Sequence, residues 1–394
     1  MRKSTKSKSP LRLCHLADLH LGYRRYNRLT KAGFNQREAD VNIALREAFD
    51  RLIKLRPAAV LIAGDVFHTV RPSNAVLGFA FRELKRLTAA LPAPVIIAAG
   101  NHETPRRSDT GSPLRILAEV ERVFIADQGP EQFTFEDLNL AVHCIPHAAL
   151  SLDPLPAVRA DDRFAYNVLM LHGQVGMRWI SDFGGANINL RDFSQHEWDY
   201  IALGHVHLNT EVGLNAAYSG SIEHTALNIW SEGDTNKGFL EIQLPEGKRT
   251  FHALTSPRSV VVLKNIDGAG LSIEQIQNQM RERIESVPGG LEGKLVRLLV
   301  LNVPRELQRQ LDLREIKKWR SEALNLSLEL LPPLDHERTG GLSSGKRGNL
   351  EQELAAYCRD WKFSGEKGAA AEALIKSYFN LLEERDEAGK PQSA

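Results

Sequence analysis

Cysteine is scarce in this chain: Cys14, Cys144 and Cys358 lie far apart among 394 residues, without C-x-x-C spacing. That excludes a disulfide framework and fits a reducing compartment. No apolar run is long enough to span a membrane, so no membrane partner is expected. Net charge is missing too, since 50 Lys and Arg against 49 Asp and Glu leave +1. Bulk charge therefore draws the chain to neither nucleic acid nor membrane, and an anionic partner must be met by a local patch. There is no Gly-rich nucleotide loop, so ATP is not expected to bind, and no repeat of the solenoid kind. The opening MRKSTKSKSP is basic, but the following LRLCHLADLH lacks the apolar core of a secretory leader. A cytoplasmic protein is the expectation.

What is present is an ordinary globular composition, 42% hydrophobic and 25% charged, in a chain long enough for more than one domain. In the first half a short branched apolar run repeatedly stops at polar residues. LRLCHLA precedes Asp18-Leu19-His20, AVLIAG precedes Asp65, and PVIIAAG precedes Asn101-His102. NVLML leads to His172, and YIALG to His205-Val206-His207. Unbroken apolar runs of this length read as strands covered on both faces. Segments with helical spacing lie between them, at 41–55 and at 73–87, the latter with Ser73 as N-cap. The result is an α/β organisation with helices outside sheets, and in such folds ligands bind at the carboxyl ends of strands.

All five polar clusters sit at those ends. Residues two apart on a strand project the same way, so Asp18 with His20, and His205 with His207, are expected to aim as pairs at one site. The collected donors, Asp18, His20, Asp65, Asn101, His172, His205 and His207, are nitrogen and oxygen only. Seven are too many for one ion and suit two, as in two-metal centres that act on phosphoryl groups, with a carboxylate such as Asp65 able to bridge. Donors of this hardness suit manganese, while magnesium, iron and zinc also accept them. A lone D-x-H or GNH is usually a surface loop; the ordered set of five makes these residues ligands.

DLHLG at 18–22, GDVFH at 64–68, GNHE at 100–103, LHG at 171–173 and GHVH at 204–207 resemble the five motifs of the calcineurin-like metallophosphoesterases. More narrowly, D-x-HLG with GD-x-FH resembles the SbcD and Mre-eleven type DNA double-strand-break repair nucleases, strongly over 11–255 and more weakly beyond. The resemblance implies a metallophosphoesterase β-sandwich flanked by helices. One metal would take Asp18, His20, Asp65 and His207, the other Asp65, Asn101, His172 and His205. His102 would stabilise the transition state or protonate the leaving oxygen, with His68 as a second histidine that is not a ligand. It further implies two manganese ions, 3′ to 5′ exonuclease activity with nicking of single strands, and a homodimer through helices near 73–90 and 112–120. The partners implied are DNA and an SbcC-type coiled-coil ABC ATPase, in a nucleoid-associated setting. Glu103 stands where Asp is frequent.

Marks of a DNA substrate lie outside the motifs. After His20, Arg24, Arg25, Arg28, Lys31 and Arg37 alternate with Tyr23, Tyr26 and Phe34, charges for phosphates among faces for unpaired bases. Arg106 and Arg107 follow the GNHE turn. AAYSGSIEHT at 216–225 resembles the Y-x-GS segment of these nucleases, which implies that Gly220 and Ser221 form a turn near substrate and that His224 stands where a basic residue is expected. Beyond a closing hairpin around the PEG turn, 256–333 alternates strand, helix, strand, helix, strand, with a capping box at Ser272, and resembles a DNA-holding capping domain.

The expected boundaries are a basic tail 1–10, a nuclease domain 11–255, a capping domain 256–333, a linker 334–348, an ATPase-binding helical segment 349–384 and a tail 385–394. In the helical segment Leu350, Leu354, Tyr357 and Trp361 share one face, and Leu374 and Tyr378 another. A phosphatase or cyclic-nucleotide phosphodiesterase on the same centre is the alternative to a DNA nuclease, and a non-catalytic scaffold is a third reading, opposed by the complete donor set.

Overall fold

The computed structural model describes residues 9–105, 111–176 and 186–333. Strand β1 (Leu11–Leu16) is followed by α1 (Gln36–Leu55), β2 (Ala59–Ala63), α2 (Asn74–Ala90), β3 (Val95–Ala98) and β4 (Val123–Ala126). Next come β5 (Glu131–Phe135), β6 (Leu140–Ile145), α3 (His147–Leu150), β7 (Tyr166–His172), β8 (Gln174–Val175), β9 (Asn187–Ile188) and β10 (Tyr200–Gly204). Strands β11 (Thr210–Glu211), β12 (Ala216–Tyr218), β13 (Gly238–Leu244) and β14 (Lys248–Ala253) complete two six-stranded sheets. One runs β14-β13-β1-β2-β3-β4 and the other β11-β12-β10-β7-β6-β5.

The sheets stack face to face. Leu13, Leu61, Ile96 and Ile242 of the first share a core with Val142, Val168, Met170 and Ala202 of the second. The outer face of the first sheet is covered by α1 and α2, which bury Ala44, Leu45, Phe49, Leu84 and Leu87 against Leu16, Val60, Ile62 and Ile97. This double cover explains why β2 and β3 read as unbroken apolar runs rather than alternating ones. Asn35 caps α1 by accepting from the amides of Arg37 and Glu38, so the helix begins five residues before the apolar spacing places it. Ser73 caps α2 as expected, accepting from Val76 N. β1–β2, β2–β3 and β7–β10 pair in parallel, so the carboxyl ends that carry the polar clusters open on one rim of the sandwich.

The remainder forms β15 (Val260–Val262), β16 (Ile266–Asp267), α4 (Ile273–Glu285), β17 (Leu295–Leu301), α5 (Arg305–Gln308), α6 (Leu313–Glu322) and β18 (Asn325–Leu330). Its sheet is parallel, with β15 and β16 on one edge of β17 and β18 on the other. Its own core gathers Ile276, Met280, Ile284, Val296, Leu298, Val300 and Trp319, and Ser272 with Gln275 closes the expected capping box. This segment is not set apart from the sandwich, because the chain to Pro332 is one compact unit. Arg258 bonds Asp40 of α1, and the Glu47 carboxylate of α1 accepts from the amides of Thr255 and Ser256. Arg106, Arg107, the linker 334–348, and the segment 349–384 with Leu350, Leu354, Tyr357, Trp361, Leu374 and Tyr378 lie outside the described residues.

Candidate metal centre

The two candidate pairs are not strand residues. Asp18 and His20 lie beyond the end of β1, and His205 and His207 beyond β10, so the pleat does not aim them. Turns do, since Asp18 (φ 54°), His20 (φ 47°), Asp65 (φ 54°) and His205 (φ 95°) all take positive φ. Each such L-residue stores on the order of 1–3 kcal/mol of strain, which the surrounding structure must hold in place. Backbone bonds supply that hold: Asp18 N donates to Gly64 O (3.0 Å) and His20 N to Asp65 O (2.9 Å), while His205 N donates to the Asp18 carboxylate at 3.0 Å.

These turns bring the donors together as two triads. Ligand atoms of Asp18, His20 and His207 lie within 4.8 Å of one another, and those of Asp65, His172 and His205 likewise. His20 Nε2 and His207 Nε2 face each other at 3.0 Å. Asn101 Oδ1 is 3.0 Å from His172 Nε2 and 3.1 Å from His205 Nδ1. Asp65 Oδ2 is 3.8 Å from His20 Nε2 and 3.4 Å from His172 Nε2, so this one oxygen reaches both triads. Imidazole and carboxylate donors converging at these separations fit two divalent cations sharing Asp65.

Two glycines of the motifs have no room for a side chain. A Cβ on Gly64 (φ 89°) would lie 2.2 Å from His172 Nδ1, and one on Gly204 would lie 1.8 Å from Ala63 O. Glu103 was missed by the sequence reading, which saw in it only a variant of the GNH motif. It is fully buried, and its carboxylate accepts from Asp65 N (3.1 Å), Phe67 N (2.6 Å) and Gly100 N (2.9 Å). It thereby ties the GDVFH loop to the GNHE loop. The signal that could have found it is a carboxylate next to two motif residues that a hydrated surface position would not need.

Electrostatics divides the site. Burial lowers His205 to about 4 and His207 to about 3, with His172 and Lys237 as the next causes, and it pushes His20 well below the ordinary imidazole range. These rings are neutral and keep a lone pair for a cation. Burial raises Asp18 to about 7. Burial also opposes the charged forms of Asp65 and His172, but their mutual attraction wins: Asp65 is held well below the carboxylate range and His172 is raised to about 9.

His68 and His102 stand beside this centre. His102 Nδ1 donates to His68 O at 2.6 Å, which leaves Nε2 facing inward, 3.9 Å from Asp65 Oδ2, on a side chain one-third exposed. His68 stacks on His102, with ring centres 5.2 Å apart, and its Nδ1 is 3.4 Å from His20 Nδ1. Burial, then His102, lowers His68 to about 4.

The basic loop after His20 divides in two. Arg37 is fully buried and bonds Asp40, Glu223 and His224 O, so it is withdrawn from the phosphate-facing set, and Tyr23 is withdrawn from stacking by burial. Arg28 donates to Ala323 O (3.1 Å), Ser321 O (3.2 Å), Leu324 O and Arg320 O, at the carboxyl end of α6. Arg24 pairs with Glu38 and Arg25 donates to Leu227 O, while Lys31 and Phe34 face solvent. Gly220 and Ser221 are buried behind His207, Ser221 N donating to its carbonyl at 3.2 Å. They hold the main chain of His207. His224 is buried as well.

A sandwich with two N/O triads at its strand ends is the architecture of the phosphoesterases. Residues 11–209, half of the chain, match the calcineurin-like phosphoesterase family, and the chain belongs to it. Within the family it is similar to the DNA double-strand break repair protein Mre11 of Methanocaldococcus jannaschii, at 31% identity over 57% of this chain and 60% of the relative. The protein of the same name from Methanopyrus kandleri is 26% identical over 76% of this chain and 67% of its own length. An SbcCD nuclease subunit of Staphylococcus epidermidis is 24% identical over 64% of this chain and 72% of its own length. The chain spans half to three-fifths of the length of several of the archaeal relatives it matches.

Proposed function

We propose that this chain is a DNA exonuclease and endonuclease of double-strand-break repair, working with two manganese ions and paired with an SbcC-type ATPase. The observation that carries the reading is Asp65 Oδ2 standing between the two triads. Asp18, His20, Asp65 and His207 would hold one cation, and Asp65, Asn101, His172 and His205 the other. When bound, such a pair supplies positive charge to phosphoryl oxygens and lowers the pKa of water at the site. The chain itself contributes geometry and one proton. The strained turns fix the donors before substrate arrives, so little reorganisation is left for the reaction. His102 Nε2 is the partly exposed nitrogen nearest the shared carboxylate, in position to give a proton to the leaving oxygen, and His68 holds that ring by stacking and through its carbonyl.

Substrate and partners follow the same reading. Arg24, Arg25 and Lys31, with Arg106 and Arg107, would meet the DNA backbone, and 256–333 would cap the DNA. The segment 349–384 would bind the ATPase and the helices near 73–90 and 112–120 a second copy, in a nucleoid-associated cytoplasmic assembly. The names of the Mre11 and SbcCD relatives support this over a phosphatase or cyclic-nucleotide phosphodiesterase. The test is cleavage of linear duplex DNA, single-stranded DNA and a small chromogenic phosphomonoester with manganese, magnesium or EDTA. Manganese-dependent DNA cleavage abolished by EDTA is expected, and hydrolysis confined to the phosphomonoester would overturn the nuclease reading.

A further inference from the structure

Buried ammonium groups are costly unless paired, and Lys237 is one that the proposed reaction does not use. It is 2% exposed, in the residue before β13. Its Nζ bonds Glu232 Oε2 at 2.6 Å and donates to the carbonyl oxygen of His207 at 2.9 Å. His207, a proposed ligand, has a buried ring nitrogen that meets no partner. A metal-binding imidazole normally takes its orientation from a hydrogen bond on the nitrogen away from the metal. His172 has one, from Nδ1 to Ala63 O at 2.7 Å, and His20 Nδ1 lies 3.4 Å from His68 Nδ1. His205 Nδ1 faces Asn101, a donor of the same set, so that contact lies on the metal side of the ring. Among the described residues, His207 Nδ1 is the only buried ring nitrogen of the four ligand imidazoles that meets no partner.

Its main chain is held instead. The His207 carbonyl accepts from Lys237 Nζ, from Ser221 N at 3.2 Å and from Ser221 Oγ at 3.5 Å. Gly220 lies so close that a Cβ there would stand 3.0 Å from the same oxygen. Lys237 itself is fixed at both ends, by Glu232 at Nζ and by the bond from Leu254 N to its carbonyl at 2.8 Å. We infer that Lys237, held by Glu232, is a positioning residue that aims His207 at its cation through the main chain rather than the ring. Its influence is confined to the Asp18–His20–His207 side of the centre.

This inference rests on the two-cation reading, and calorimetric titration of the full chain with manganese separates the two. The wild-type protein is expected to bind two ions. Lys237→Met is expected to weaken one of them by roughly tenfold, the effect of losing an outer support of a metal ligand, and to change the other less than twofold. In a His207→Ala background the same substitution is expected to add nothing further. Glu232→Gln, which keeps the ammonium and loosens its anchor, is expected to weaken the same ion by a smaller factor, and serves if Lys237→Met does not fold. Two ions bound by the wild type with equal weakening of both, or of neither, in the variants would overturn the positioning role alone. A wild-type protein that binds fewer than two ions would remove the two-cation reading and this inference with it.

Discussion

The rim of the sandwich and the segment 256–333 are built from the same materials under opposite rules. At the rim, four of the proposed ligands take positive φ, and carboxylates and imidazoles are buried side by side. In 256–333 Asn302 is the only non-glycine residue with positive φ among the described residues. Its helix α4 begins with a capping box, and its core is aliphatic with one tryptophan. Strain and buried polarity persist only where surrounding structure over-determines them, so residues that combine positive φ with a buried carboxylate or imidazole mark where chemistry is held.

The sharpest way to break this contrast is to remove the residue on which the rim converges. Asp65→Ala is expected to abolish binding of both manganese ions together and to lower DNA cleavage by more than about 10²-fold, beyond the loss of a mere outer support. His102→Ala is expected to keep both ions yet lower cleavage by on the order of 10²–10⁴-fold, the contribution of a positioned proton donor. Metal content by plasma mass spectrometry beside cleavage rates decides this. One full-strength ion left in the first variant, or loss of both ions in the second, would refute the assignment.

Next in size is a purely structural effect at the same rim. Glu103→Ala leaves the amides of Asp65, Phe67 and Gly100 without their acceptor, and each buried unpaired donor costs about 1–3 kcal/mol. A loss of about 3 kcal/mol or more in urea unfolding is expected. A loss below about 1 kcal/mol, less than one unpaired donor costs, would mean that the GDVFH and GNHE loops hold their shape without it.

The join between the two regions should respond to acid. Burial opposes ionisation of Glu47, but bonds from Ser256 and Thr255 prevail and hold its carboxyl near 2, against 4.5 in an unfolded chain. A depressed folded value gives stability that is present above pH 4.5 and lost as pH falls toward 2. Glu47→Gln is therefore expected to flatten the stability–pH curve in that window and leave its shape above about pH 5 unchanged. A parallel curve displaced at every pH would show that packing, not ionisation, is what Glu47 supplies.

The sequence disclosed the rim better than it disclosed the reasons for it. All seven proposed ligands were legible because each ends or follows a strand whose double burial writes an unbroken apolar run, and because five motifs in order are improbable by chance. The helices were legible from their caps, Ser73 and Ser272 above all. What could not be read was how the ligands turn inward, since a left-handed Asp or His leaves no mark on spacing, and the pleat argument for the paired residues was replaced by turns. Glu103, Lys237 and Arg37 were missed or misassigned for a common reason. A charged residue reads as solvated until the fold shows the amides or counter-charges that bury it.

The smallest effects come from the loop after His20, where the contrast between scaffold and site recurs within a dozen residues. Lys31 is exposed, whereas Arg28 gives its guanidinium to carbonyls at the carboxyl end of α6, where a cation is favoured by the helix dipole. A phosphate contact adds about one to the slope of log affinity against log salt, while a bond to carbonyls inside the protein adds nothing. Arg28→Ala is accordingly expected to lower stability by about 1–2 kcal/mol, as charged hydrogen bonds are lost, with the salt slope unchanged. Lys31→Ala is expected to leave stability within about 0.5 kcal/mol and to reduce the slope by about one. Fluorescence anisotropy with a labelled single strand across a salt series measures the slope, and urea unfolding measures the stability. A slope that falls for Arg28→Ala and holds for Lys31→Ala would exchange their roles, and would mean that Arg28 leaves the α6 carbonyls when DNA arrives.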